Sequence, residues 1–304
     1  MHTYASTAFR FPDNHGKDLA PSASLLVVAR PWRGKGQTYS SNAVGATGSC
    51  PRGVIEATNK GHEALRYYYA NPSAKYLEDS VSNFDNALSK CPEEHACYAA
   101  ALFNLATAKF ISYRSYGTLD YFKDSTDHYR KALELRRDNR QDRPMTVLHL
   151  AQVLLYHSST TGYDASNKEL CEVLGELETI FLEDTHGRCA ADLVFQTHEF
   201  LGLRDSNDLG KLNELISKMN VVAQVLPTYF DRPARFNNLG LALQKRFQLG
   251  RKAVDLDQAI EWFQKAVEIA PTNHLDKSEY LSNLGDALLV RSQRGRTVPF
   301  TGKK

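Results

Sequence analysis

The stretch "RPARFNNLGLALQKRFQLGRKAVDLDQAIEWFQKAVEIAPTNH", residues 232–274, decides the fold. In its first half Phe236, Leu239, Leu243 and Phe247 recur at spacings of 3, 4 and 4, the period of one helix face. Asp231, just ahead, can cap the first free N–H groups, and Pro233 falls in the first turn, where its missing N–H is not needed. A second helix starts near Asp255 and places Ala259, Phe263, Ala266 and Val267 on one stripe. It ends before Pro271, which lacks the N–H to continue it. The stretch therefore predicts a helix A, a connection and a helix B.

The same pair recurs along the chain. The phrases "FNLATA", "LHLAQV", "NNLGLAL" and "SNLGDAL" share a leucine at Leu105, Leu150, Leu239 and Leu284, at intervals of 45, 89 and 45. The middle interval is two periods, with a hidden copy near Val194. Half a repeat later Phe84, Tyr129, Leu174 and Phe263 show intervals of 45, 45 and 89, and so do Ala87, Ala132, Leu177 and Ala266. A helical pattern with this period predicts stacked helix pairs, because one pair cannot bury its own apolar face. Ala106, Ala151, Gly240 and Gly285 follow the shared leucine, and small residues there let helix B lie close to helix A. The expected fold is all-α: a right-handed α–α superhelix of about eleven helices over residues 54–294, made of five pairs and a last unpaired helix A from Lys277 to about Arg294.

Composition narrows the function classes. The chain has 304 residues, 37 Lys and Arg against 35 Asp and Glu, and 42% hydrophobic residues, an ordinary soluble profile. A formal net charge of +2 argues against a dedicated nucleic-acid binder, which carries a strongly basic face. No apolar run, Leu25 to Ala29 and Ala96 to Phe103 included, approaches the roughly 20 residues that span a membrane. Five cysteines without regular spacing do not form a disulfide framework and point to a reducing, cytoplasmic setting. Residues 1–53 carry six Lys or Arg against two Asp, are rich in Ser, Gly, Ala and Pro, and show no helical period. They read as a disordered basic tail, as do residues 295–304 at the other end. A mitochondrial presequence is the rival for the first tail, but Pro12, Asp13, Asn14 and Gly16 interrupt any amphipathic helix there.

The spacing of Ala259, Phe263, Ala266 and Pro271, repeated in Ser80, Phe84, Ala87 and Pro92, resembles the second half of the tetratricopeptide repeat. Phe236, Leu239 and Gly240 are similar to its first half. The period here is about 45 residues rather than roughly 34, the surplus falling between Gly240 and Ala259. Repeats lengthened in this way, with "NNLGLAL", "RF", "LDQAI" and a His-x-Asp such as His274 to Asp276, resemble the arrays of large fungal proteins that carry a C-terminal caspase-like CHAT domain. No stretch of this chain resembles the CHAT domain itself.

Four constellations invite chemistry and read as structural. "HGRC", His186 to Cys189, holds a base and a nucleophile type, but it lies at a helix junction rather than on the strand ends of an α/β core. "CPEEHAC" offers Cys91, His95 and Cys97, yet tetrahedral zinc takes four ligands and no further Cys or His follows at finger spacing; no metal and no cofactor are expected. "WRGKGQTYSS", from Trp32, lacks the glycine spacing and the helix of a P-loop. "RRDNRQDR", Arg136 to Arg143, interleaves Asp with Arg at a helix end, as expected of a solvated turn.

The family resemblance implies that helix A lines a concave groove, with Thr107, Gln152, Asn237, Leu241, Gln244, Ser282 and Asp286 as the exposed partner-binding positions. Asn237, Leu241 and Gln244 share one stripe. Leu241 and Asp286 stand where a clamp for a terminal carboxylate would need Asn, which argues against chaperone-tail binding. The expected function is a non-catalytic scaffold that binds a protein or peptide segment. The alternative is the regulatory array of a caspase-like peptidase whose catalytic domain lies outside this chain. RNA binding by the repeats would need a basic concave face, against which stand Glu279, Asp286 and an excess of acid beyond residue 53.

Overall fold

The computed structural model describes residues 10–12, 18–20, 50–136, 142–162, 164, 167–181, 186–225, 232–272, 274 and 276–296. Among them are eleven helices: α1 (Arg52–Ala70), α2 (Ala74–Ser89), α3 (Tyr98–Tyr116), α4 (Leu119–Leu135), α5 (Arg143–Thr161), α6 (Lys168–Ile180), α7 (His186–Leu203), α8 (Leu209–Val225), α9 (Arg232–Gly250), α10 (Ala253–Ile269) and α11 (Lys277–Arg296). The odd-numbered helices are the predicted A helices. They begin 46, 45, 43, 46 and 45 residues apart, so the period read from the shared leucine is the period of the fold, and the fold is all-α.

Packing divides the chain into two units. In the unit formed by Val28–His157 and Ser166–Asp192, α1 pairs with α2 and α3 with α4, while α2 packs on α3 and α1 lies beside α3. In the unit formed by Met1–Val27, Ser158–Ala165 and Leu193–Lys304, α9 pairs with α10, α8 packs on α9, α10 packs on α11, and α9 lies beside α11. Thus α1, α3 and α9 each meet their own B helix, and α1 with α3, like α9 with α11, meet as neighbouring A helices.

The repeated apolar positions form the cores. Leu105, Leu150, Val194 and Leu239 are buried, and so are Phe84, Tyr129, Leu174 and Phe263. Met219 fills the position missing from the second series and is buried as well. At Gly240 and at Gly61 contact requires that the side chain be missing. A Cβ on Gly240 would lie 2.5 Å from the Phe263 ring, and one on Gly61, a period before Ala106, would lie 2.6 Å from the Phe84 ring. Carbon atoms rest about 3.5–4.0 Å apart, so at both positions the aromatic ring of helix B occupies the space of a side chain on helix A.

Helix ends follow local chemistry. Three A helices stop at a residue with positive φ: Gly117 at 71°, Gly162 at 129° and Arg251 at 54°. Their N–H groups donate back to Tyr113, Ser158 and Phe247 at 2.7, 3.1 and 2.7 Å, which satisfies carbonyls the helix leaves open. Asn167 caps α6 by accepting from the Leu170 N–H at 3.0 Å. At the α9–α10 turn the Arg246 guanidinium donates twice to the buried Asp255 carboxylate, at 3.1 and 2.7 Å, and fixes the hairpin.

The structure also departs from the sequence reading. Helix α1 starts at Arg52, inside the segment assigned to the tail, and α11 runs to Arg296, two residues into the other. Arg10–Pro12 and Asp18–Ala20 are two short strands paired antiparallel, with Phe11 opposite Leu19; three residues each are too few to show the alternation that marks a strand. The remainder of residues 1–49, residues 297–304 and the proposed cap Asp231 lie outside the described residues, so the reading of the tails falls there too.

Candidate functional site

Adjacent A helices are tied by polar side chains. Tyr68 on α1 and Ser115 on α3 share a hydrogen bond of 2.8 Å, as do Tyr113 on α3 and Nδ1 of His157 on α5. Asn238 on α9 donates to Thr197 on α7 at 3.1 Å, and Asn283 on α11 donates to Asn237 on α9 at 2.8 Å. Each pair is separated by 41–47 residues, which is one repeat. The stripe of helix A that faces away from helix B therefore faces the next helix A.

That packing corrects the groove assignment for five residues. Asn237 is 0% exposed, and Thr107, Gln152, Leu241 and Gln244 are buried too, so none of the five lies open to a partner. Thr107 donates to the Phe103 carbonyl at 2.8 Å and bonds the Tyr129 hydroxyl at 2.9 Å. The Tyr129 hydroxyl reaches Nδ1 of His149 at 3.4 Å. Burial, with the Arg136 cation nearby, drives the His149 pKa down to about 4, because a charged imidazolium would be desolvated. What the residue types suggested was a wet surface; the fold buries all five, and Thr107 and Asn237 become internal polar links.

Ser282 and Asp286 fare differently. They stand one period after Asn237 and Leu241, and no A helix beyond α11 exists among the described residues to cover them. Ser282 is exposed and Asp286 half-buried, its carboxyl pushed above the usual range by burial. Leu289, one period after Gln244, is 48% exposed.

The second open face of α11 was not legible as a site from residue types. Leu281, Leu284, Gly285, Leu288 and Ser292 repeat, 45 residues on, the positions of Phe236, Leu239, Gly240, Leu243 and Phe247, the stripe with which α9 receives α10. On α9 these five are buried. On α11 Leu281 is 50% exposed, Leu284 and Leu288 are half-buried, and a Cβ on Gly285 would meet nothing within 4 Å. The notch that takes the Phe263 ring on α9 is open on α11. Its inward side is well held: Tyr280, Asn283 and Ala287 are buried.

The other constellations place as follows. Arg136 is buried and its guanidinium donates to the Asp142 carbonyl at 3.2 Å and to the Thr146 hydroxyl, a role in closing the α4–α5 turn; residues 137–141 lie outside the described residues. "HGRC" opens α7, and the side chains of His186 and Cys189, like the whole of "WRGKGQTYSS", are outside the description. Among the described residues no helix is long and apolar enough to cross a membrane. Compared with family models, curated proteins and solved structures, the chain matches none.

Proposed function

We propose that this chain is a non-catalytic recognition module that takes an amphipathic helix of a protein partner on the open face of α11. The observation that carries the reading is the notch at Gly285. The same notch, at Gly61 and at Gly240, is filled by an aromatic ring of the following helix, and at Gly285 it stands open beside Leu281 and Leu288. The chemistry of the occupant follows from those two precedents: a helix with an aromatic residue on its apolar face, with small residues nearby as Ala259 and Ala266 flank Phe263. Ser282 and Asp286, carried over from the tetratricopeptide resemblance, border the strip and give it a polar rim. Protein partners of this kind bind by laying an apolar helix face into a groove, which needs no cofactor and no chemistry from this chain.

The test uses a synthetic peptide of residues 253–270, the chain's own ring-bearing helix, as a defined probe. Fluorescence anisotropy on the full chain should show saturable binding that Leu281→Glu with Leu288→Glu weakens about tenfold or more, while Gln258→Ala with Glu261→Ala on the outer face of α10 leaves it unchanged. Binding that is insensitive to the α11 pair refutes the assignment.

A further inference from the structure

Residues 91–97, CPEEHAC, form the turn between α2 and α3, and the fold brings a fourth ligand type to it from outside the sequence neighbourhood. Helices α1 and α2 pack antiparallel, so the start of α1 lies beside the end of α2; a Cβ on Gly53 would touch Lys90 Cδ at 3.4 Å. Cys50, two residues before α1, is thereby returned to the turn. Its sulfur, the sulfur of Cys97 and an imidazole nitrogen of His95 all lie within 4.8 Å of one another. Cys91, 5% exposed, packs into the apolar cluster on which Cys50 and Cys97 also lie.

The turn is held in shape independently of these side chains. The His95 N–H donates to the Pro92 carbonyl at 3.0 Å and the Tyr98 N–H to the His95 carbonyl at 2.9 Å. Glu93 accepts from the Tyr98 hydroxyl at 3.0 Å and from Lys131 of α4 at 3.1 Å. On the imidazole, Nδ1 accepts the Cys97 N–H at 3.1 Å, while Nε2 is buried without a hydrogen-bond partner among the described residues. A buried polar nitrogen left without a partner carries a cost that a ligand removes.

We propose that Cys50, Cys91, His95 and Cys97 form a structural zinc site that staples the start of α1 to the α2–α3 turn. Three sulfurs and one imidazole, with no carboxylate in the set, are the ligands of a closed tetrahedral zinc centre rather than of magnesium or calcium. Zinc–sulfur bonds of about 2.3 Å put tetrahedral sulfurs about 3.8 Å apart, so the ligand atoms of Cys50, His95 and Cys97 have to close by roughly 1 Å, and the Cys91 side chain has to turn in from its place in the adjoining cluster. Loading displaces three thiol protons to solvent and leaves the ring neutral, so zinc with three thiolates carries one negative charge. Cys50 and Cys97 sit at the amino ends of α1 and α3, where the helix dipole favours thiolate. Whichever imidazole nitrogen binds, the Cys97 N–H leaves Nδ1 and is free to point at a thiolate. On sequence alone the fourth ligand was sought downstream at finger spacing, whereas it lies 41 residues upstream of Cys91.

The test is metal stoichiometry on the full chain, purified under reducing conditions. Mass spectrometry of the metals should find one zinc per chain, and replacement by cobalt should give the visible bands of a tetrahedral ion together with a thiolate charge-transfer band. Cys50→Ser, Cys91→Ser, Cys97→Ser and His95→Ala should each weaken zinc binding about tenfold or more, and Cys171→Ser, an exposed cysteine on α6, should not. Should the variants fail to fold, alkylation of the unaltered chain decides: zinc should protect Cys50, Cys91 and Cys97 but not Cys171, and a chelator should remove the protection. A folded chain without zinc or cobalt uptake overturns the proposal, as does a disulfide between two of the three cysteines. A cobalt spectrum unchanged by Cys91→Ser overturns the four-ligand site.

Discussion

Replacing Gly240 and Gly285 by alanine should move stability in opposite directions, although both are helical glycines one period apart on helices of the same type. On Gly240 the new Cβ would lie 2.5, 2.7 and 3.0 Å from three atoms of the Phe263 ring. That ring is fully buried and enclosed by the core of its unit, so it can retreat only by displacing neighbours. Overpacking of this kind costs about 1–3 kcal/mol, while the gain in helix propensity from Gly to Ala is about 0.8–1.0 kcal/mol. On Gly285 only the gain remains, because nothing lies within 4 Å. The propensity contribution is common to both, so the difference between the two variants isolates the ring contact at about 1–3 kcal/mol, or very roughly 2–12 °C in melting midpoint for a domain of this size. Urea and thermal denaturation of the full chain, followed by far-ultraviolet circular dichroism, measure it. Gly61→Ala should behave like Gly240→Ala, since the Phe84 ring lies 2.6–2.9 Å from its would-be Cβ. Should Gly240→Ala prove as stable as Gly285→Ala, the account of how helix B seats on helix A is wrong.

Other consequences follow from the same packing. Asn237→Ala removes the acceptor for a buried Asn283 amide and should cost about 1–3 kcal/mol, against the few tenths expected of an exposed groove residue; equilibrium unfolding distinguishes the two. Stability should fall as pH is lowered from about 6.5 towards 4. The fully buried His149 has its folded pKa depressed from 6.5 to about 4, so in this window the unfolded chain binds a proton that the folded chain does not. The loss is on the order of 2–3 kcal/mol, in the direction that burial also imposes on His157 and His198, and His149→Gln should flatten the pH profile of the melting midpoint. Arg246→Ala strands the buried Asp255 carboxylate and should destabilise by about 1–3 kcal/mol, less than a fully buried pair because Arg246 is partly exposed.

The helical period was legible because each repeat must present the same apolar faces to its neighbours, so Leu105, Leu150 and Leu239 repeat a buried position, and Val194 and Met219 fill the gaps without the phrases that mark the others. The groove was not legible. Thr107, Gln152, Asn237 and Gln244 are polar, and residue type alone does not distinguish a polar side chain facing water from one that bonds to the next helix. The packing of the helices decides, and on α11 Ser282 is exposed while Asp286 is half-buried. Cys50 was missed for a related reason. It precedes α1 in a stretch with no period of its own, and its neighbours in space are fixed by the antiparallel return of α2.

The measurement that bears most directly on the proposed role is a double-mutant cycle across the Gly285 notch. The peptide of residues 253–270 and its Phe263→Ala form are titrated against the full chain and against its Gly285→Leu form, in which the notch is filled. If the ring enters the notch, the parent peptide loses about 1.5–3 kcal/mol of binding, roughly 10- to 100-fold in affinity, on either change alone. The second change on top of the first should then cost little. Equal losses that simply add, or no loss from Gly285→Leu, would show that the aromatic ring does not enter the notch and that the open face of α11 is not the recognition surface.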